Sequence, residues 1–243
     1  MKKYLLTFLS LLLLTSYSYS AGDPKPPKTV KEHAQRLSTN CQYRDEHFQI
    51  SDSKNKKWQW QYQQCVLTGL QQPHIPRDNV ATALTVLSAL KVKLTTTFVN
   101  QIIEQTKVAG RTEMFRENCD IMLDVGHNPH AARYLANIIK QREYPKVHAV
   151  FSMLADKDIA AVVTPLASVV SHWYISELDV DRAATVAKIS QPLVKHQLAF
   201  EHFDNVCDAY KMAKEQAQPN DLVLVFGSFF TVAQIRRLLV SVS

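Results

Sequence analysis

Glycine is scarce in this chain. Its 243 residues include five, Gly22, Gly69, Gly110, Gly126 and Gly227, and no two lie within a dozen residues of each other. A loop that cradles phosphate through backbone N–H groups needs clustered glycines, so neither a phosphate loop nor a GxGxxG dinucleotide fingerprint is present. The chain cannot bind a nucleotide alone by either route, and a Rossmann oxidoreductase is excluded. Cysteine is sparse too: Cys41, Cys65, Cys119 and Cys207 are scattered without a CxxC pair. That argues against zinc and for reduced thiols, with a Cys41–Cys65 pair as the alternative in an oxidising compartment. Basic runs are lacking beyond Lys54-Asn55-Lys56-Lys57, and the net charge of +6 falls to +4 without Lys2 and Lys3. Nucleic acid is therefore not an expected partner; the mild bias suits an anionic small molecule.

What is present is enough apolar sequence, 46% of residues against 21% charged, for one large or two small globular domains. The first twenty residues stand apart. Lys2-Lys3 precede a largely apolar stretch from Tyr4 to Leu14, and small residues Ser18, Ser20 and Ala21 follow. This is the grammar of an export signal, too short to span a bilayer. Residues 1–20 read as a signal-like leader, the one feature linking the chain to a membrane.

After the Pro-rich loop "AGDPKPP", a short helix is expected from Thr29 to Ser38 with Thr29 as N-cap. "CQYRDEHFQI" and "KKWQWQYQQ" alternate as two strands turning at "SDSKN", with Trp58, Trp60 and Tyr62 on one face. That stripe reads as a half-buried sheet face or as a stacking platform. Helical spacing follows Pro76, at Val80, Leu84, Leu87 and Leu90, and a second helix runs through "TTTFVNQIIEQT". Beyond Gly110 the pattern changes. "DIMLDV", "KVHAVFSML", "HWYIS" and "DLVLVFG" read as strands. Helices are expected in "PHAARYLANIIKQR", "DIAAVVTPLASVV", "RAATVAKIS", "DNVCDAYKMAKEQA" and "FTVAQIRRLLV". Continuous apolar strands separated by helices predict an α/β fold with a mostly parallel sheet covered on both faces. In such sheets ligands sit at the carboxyl ends of strands.

The residues in those positions carry a resemblance. "GRTEMF", "LDVGHNPHAARYLA", "FSMLADKDI" and "LVFGSFFTVAQI" resemble the bifunctional dihydrofolate synthase/folylpolyglutamate synthases of the Mur ligase family. "DNVATAL" resembles the asparagine-bearing helix that ends that family's central domain, and "AGDPKPPKTVKEHA" the loop and helix before it. The likeness covers about residues 21–243. It implies a Rossmann-like Mur ligase C-terminal domain at 109–243, preceded by a remnant of the central ATPase domain at 21–108. The glycine-rich loop, the magnesium ligands and most of the pteroate site belong to an upstream half.

The implied activity is ATP-dependent amide ligation. ATP phosphorylates a carboxyl of dihydropteroate or folate, and the glutamate amine attacks the acyl phosphate. By resemblance, Asn79 would contact adenine, Arg111 would reach phosphate, Asp124 would hold the ribose hydroxyls, and His127 and Ser228 would lie near phosphate and glutamate. ATP and Mg are the implied cofactors, with the Mg ligands expected upstream; glutamate and folate or dihydropteroate are the implied partners, and whether a separate ATPase-domain chain joins them is left open by the sequence. Each residue also has a plainer role. Asn79 would start a helix, and Arg111 would pair with Glu113 or Glu117. Asp124 and Asn128 would cap the helix at Pro129, and Ser228 would cap the last helix. Gly126 is expected to loosen its turn. The family implies the cytoplasm; a working leader would instead export the chain as a binding domain, and a non-catalytic remnant is the further alternative.

Overall fold

The computed structural model describes residues 17–19, 28–37 and 40–241. Residues 1–16 of the leader and the loop "AGDPKPP" lie outside them. The chain forms two compact units, 1–106 and 107–243.

In the first unit, β1 (Tyr17–Tyr19) pairs in parallel with β2 (Asn40–Gln42), and α1 spans Lys28–Arg36. Thr29 thus lies inside α1 and is not its cap. Strands β3 (Phe48–Asp52), β4 (Trp58–Tyr62) and β5 (Cys65–Leu70) form an antiparallel sheet in that order. The β3–β4 turn places Asn55 and Lys56 at φ 60° and 55°, the left-handed twist a tight hairpin needs. Trp58, Trp60 and Tyr62 are buried together against α2 (Arg77–Ala89) and α3 (Thr96–Gln105), so the aromatic stripe is interior. Its polar atoms are satisfied: Trp58 Nε1 donates to the Gln71 carbonyl at 2.7 Å and Trp60 Nε1 to Thr85 Oγ1 at 3.1 Å. All four cysteines are free thiols.

The second unit contains β6 (Glu113–Arg116), β7 (Asp120–Asp124), α4 (Pro129–Arg142), β8 (Val147–Phe151), α5 (Ile159–Leu166), β9 (His172–Ser176) and α6 (Val186–Lys195). It continues through β10 (Phe200–Phe203), α7 (Val206–Gln216), β11 (Leu222–Phe226) and α8 (Phe229–Ser241). The sheet order is β10-β9-β8-β11-β7-β6, parallel except for β6, which runs antiparallel to β7. The expected α/β fold with a mostly parallel, helix-covered sheet is therefore observed. Alternate strand residues feed two cores. Met122, Ala149, Trp173 and Leu224 pack with Leu135 of α4, Val162 of α5 and Ile189 of α6. Ile121, Val150, Tyr174 and Val223 pack with Ala209 of α7 and Ile235 of α8. Helix α6 begins at Val186, four residues later than the sequence suggests, because Thr185 caps it by accepting the Lys188 N–H at 3.3 Å.

β11 comes last in sequence yet lies between β7 and β8. Helix α4, which follows β7, packs on one face, and α8, which follows β11, packs on the other. This divergence opens a crevice at the adjacent carboxyl ends of β7 and β11, the position where open α/β sheets bind ligands.

The opposite end of the sheet holds a buried polar pair. His148 Nδ1 contacts the Tyr174 hydroxyl at 3.1 Å, and its Nε2 lies 3.5 Å from Asp221 Oδ2. Burial pushes the imidazole below its ordinary value of 6.5, with the Asp221 carboxylate opposing. The unfolded chain then takes up a proton near pH 6.5 that the folded chain resists. The stability this group contributes is present above pH 6.5 and is lost as pH falls through the lower folded value. Urea unfolding between pH 8 and 5 should show that loss, and His148→Leu should make the profile flatter; an unchanged slope in the variant would assign the loss elsewhere.

Candidate active-site crevice

Asp124 ends β7, where the apolar strand gives way to a turn, and is 5% exposed. Its carboxylate is held from both sides by backbone: Oδ2 accepts the Thr112 N–H at 2.8 Å and Oδ1 the Gly126 N–H at 2.7 Å. Burial pushes this carboxyl above the ordinary carboxylate value, opposed by those two amides and by the charge of Arg111. Each oxygen keeps acceptor capacity beyond its amide. Asp124 does not cap α4. Asn128 does, accepting the Ala131 N–H at 2.9 Å with Pro129 in the first helical turn.

Gly126 tightens the turn, contrary to the expectation that it loosens it. A Cβ there would lie 2.7 Å from Asp124 Oδ1 and 2.8 Å from the Ala131 Cβ. The bare backbone is what lets the Gly126 amide reach the carboxylate.

Arg111 pairs with neither Glu113 nor Glu117. Glu113 is taken by Arg236, and Glu117 by Lys214. Among the described residues no salt bridge engages Arg111, while its charge acts on Asp124. Its corner is strained: Thr112 has φ 44°, a left-handed conformation that costs a β-branched residue roughly 1–2 kcal/mol. That conformation accompanies the Thr112 N–H bond to Asp124.

His127 is half-buried, with Nδ1 2.9 Å from the Val125 carbonyl. A carbonyl only accepts, so Nδ1 carries a proton, and in the tautomer with that single proton Nε2 is the acceptor. The Phe229 ring, exposed at the start of α8, lies 6.3 Å from it. Ser228 is 3% exposed and does cap α8, accepting the Thr231 N–H at 3.0 Å. Thr231 Oγ1 donates to the Ser152 carbonyl at 3.0 Å, so the 2.7 Å bond between the two hydroxyls is donated by Ser228. Ser152 is bonded in turn to the Ser176 hydroxyl at 2.8 Å. This hydroxyl chain, which joins the carboxyl ends of β8, β9 and β11, carries no signal in the sequence, because its members lie up to 79 residues apart.

The structure thus gathers Arg111, Asp124, His127 and Ser228 into one unit. Asn79 is exposed on the first turn of α2, in the other.

Residues 110–229 match the family model described as "Mur ligase, glutamate ligase domain". This stretch of the chain is a Mur ligase C-terminal domain. The chain is 35% identical over 217 residues to the dihydrofolate synthase/folylpolyglutamate synthase of Escherichia coli, covering 88% of this chain and 50% of that protein. The solved folylpolyglutamate synthase/dihydrofolate synthase of Yersinia pestis, complexed with AMPPNP and Mn ion, superposes with a TM-score of 0.82 at 35% identity. It covers 92% of this chain and 53% of that one. E. coli FolC in complex with DHPP and ADP gives 0.82 at 32% identity, over 93% and 53%. The chain spans about half the length of the curated relatives it matches.

Proposed function

We propose that this chain supplies the glutamate-ligase half of an ATP-dependent ligation that adds glutamate to dihydropteroate or tetrahydrofolate through an acyl phosphate. The observation that carries this reading is the juxtaposition, at the carboxyl ends of β7 and β11, of a buried carboxylate and a cation that forms no ion pair among the described residues. Asp124 keeps lone pairs for the two ribose hydroxyls while its amide bonds fix its orientation. Arg111, a permanent charge, stabilises the charge of the transferring phosphoryl group. The Nε2 acceptor of His127 suits the ammonium of incoming glutamate. Ser228 contributes by capping α8, whose first turn begins beside His127. The family resemblance gives Asn79 a contact to adenine.

The family resemblance supports these roles, as do relatives solved with AMPPNP, Mn and L-glutamate or with ADP. Among the described residues no three His, Cys, Asp or Glu side chains cluster to hold a metal. The family resemblance assigns the magnesium ligands to the half that carries the glycine-rich loop, as a separate ATPase-domain chain would supply them. ATP and folate chemistry favours the cytoplasm. Among the described residues no helix is long and apolar enough to cross a membrane.

The test is a ligation assay with dihydropteroate or tetrahydrofolate, glutamate and MgATP, in material free of host ligase. The chain alone should give no turnover above a no-protein control; turnover would overturn the assignment of the phosphate machinery to another half. N-terminal sequencing after fractionation should find Met1 intact in the soluble cytoplasm. A periplasmic product beginning at Ala21 or Gly22 would favour the exported binding domain.

A further inference from the structure

The loop that presents Arg111 is tied to the last helix. Arg236 of α8 forks the Glu113 carboxylate, with Nε at 2.9 Å from Oε2 and Nη2 at 3.0 Å from Oε1. The same carboxylate accepts the Gly110 N–H at 2.8 Å through Oε2. The Gly110 carbonyl accepts the Val125 N–H at 2.8 Å, and the Thr112 N–H reaches Asp124. Gly110 has φ 67°, and a Cβ on it would meet Val125 Cγ1 at 2.9 Å and Val232 Cγ1 at 3.1 Å. Residues 110–113 are thus clasped between the end of β7 and α8, with the strained Thr112 in the middle and Arg111 beside it.

We propose that Glu113 and Arg236 are positioning residues that hold the Arg111–Thr112 corner in its strained shape and thereby aim Arg111 at the nucleotide. The second clause rests on the functional reading above. A bond that only tied β6 to α8 would need the ion pair alone. Here the acid also takes the Gly110 amide, so the brace acts on the loop backbone. A left-handed threonine relaxes unless its neighbours over-determine it. The amides of Gly110 and Thr112 are fixed by two carboxylates, Glu113, which Arg236 holds, and Asp124 at the end of β7.

The experiment compares the full chain with Glu113→Ala, Glu113→Gln and the exchange Glu113→Arg with Arg236→Glu. The readouts are amide hydrogen exchange, urea midpoint and ADP titration followed by NMR. Glu113→Ala should speed exchange at Gly110 and Thr112 about tenfold, with Leu135 and Leu224 unaffected, and weaken ADP binding about tenfold, the factor one lost charge-assisted hydrogen bond gives. Glu113→Gln keeps an acceptor for the Gly110 amide and should stay within about threefold on both readouts. The charge exchange rebuilds the ion pair but sets a guanidinium against the Gly110 N–H. It should restore the urea midpoint while exchange and ADP affinity stay at the Glu113→Ala level. Unchanged exchange at Gly110 and Thr112 in Glu113→Ala, or full recovery in the charge exchange, would overturn the brace. Failure of the wild-type chain to bind ADP would overturn the nucleotide reading and the aiming clause with it, while the exchange pattern still decides the brace.

Discussion

Gly227→Ala should destabilise the second unit by about 3–5 kcal/mol, combining the backbone cost of the conformation with overpacking in a rigid core. Gly227 has φ 108°, a conformation that side-chain-bearing residues rarely adopt. A Cβ there would lie 2.5 Å from the Ser152 carbonyl oxygen and 2.7 Å from the Phe151 ring. Neither neighbour can yield. The carbonyl belongs to the chain leaving β8, and Phe151 is fully buried, stacked on Phe226 at 4.7 Å and edge-on to Trp173 at 5.6 Å. Relief would require β11 to move away from β8, which breaks the Thr231 bond to Ser152 and carries Ser228 with it. Gly110→Ala is the control within the same unit. Its added Cβ meets valine methyls at 2.9 and 3.1 Å and no backbone atom, so it should cost less, about 2–3 kcal/mol, the left-handed penalty for alanine plus a small shift of two side chains. Urea unfolding followed by tryptophan fluorescence measures both, and equal losses would mean that β11 does not close on β8 as described.

Asp124→Ala should cost about 2–5 kcal/mol, because two N–H donors lose their acceptor at once and an unsatisfied buried donor costs roughly 1–3 kcal/mol. The donors are Thr112 and Gly126, at 2.8 and 2.7 Å. Without the carboxylate the strained Thr112 has lost the bond that rewards its conformation. Asp124→Asn keeps one oxygen but turns an amide NH2 toward the other donor, so it should fall between alanine and wild type. The pH dependence separates charge from hydrogen bonding. Burial raises this carboxyl above 3.8 in the folded state, so the folded chain holds its proton at pH values where the unfolded chain has released it. Its stabilising contribution is full below pH 3.8 and is lost as pH rises through the folded value. Asp124→Asn has no such proton, so the difference from wild type should change across that window and become constant above it. A constant difference throughout would show that Asp124 titrates normally and that burial does not govern it.

The parallel strands of the second unit were legible because a strand covered on both faces is apolar at every position, as "LVLVF" and "VHAVF" nearly are. The strands that escaped notice are those with an open side. β6, "EMFR", and β10, "FEHF", are the two edges of the six-stranded sheet, β5, "CVLTGL", is an edge of the three-stranded one, and β1, "YSY", has one neighbour, β2. An edge strand faces solvent along part of its length, so polar residues interrupt the pattern and alternation over four residues is too short to read. In the crevice, the turn residues Asp124 to Asn128 were legible as a group. Which of them capped α4 was not, since Asp and Asn are near-equal caps and only the chain's path selects Asn128.

By itself the sequence determined the class of fold, the α4 cap candidates, the absence of a glycine-rich phosphate loop and the family resemblance, because each is written in local composition or short spacing. The tertiary structure alone decided the rest. It placed β11 between β7 and β8, so that residues a hundred positions apart in the chain share one crevice. It gave Glu113 to Arg236, 123 residues away, so that Arg111 has no ion pair among the described residues. It turned Gly126 from a loose joint into a close contact. These outcomes depend on which carboxylate meets which amide or guanidinium first within about 3 Å, the range of a hydrogen bond. One-dimensional spacing does not encode that distance once a sheet has reordered its strands.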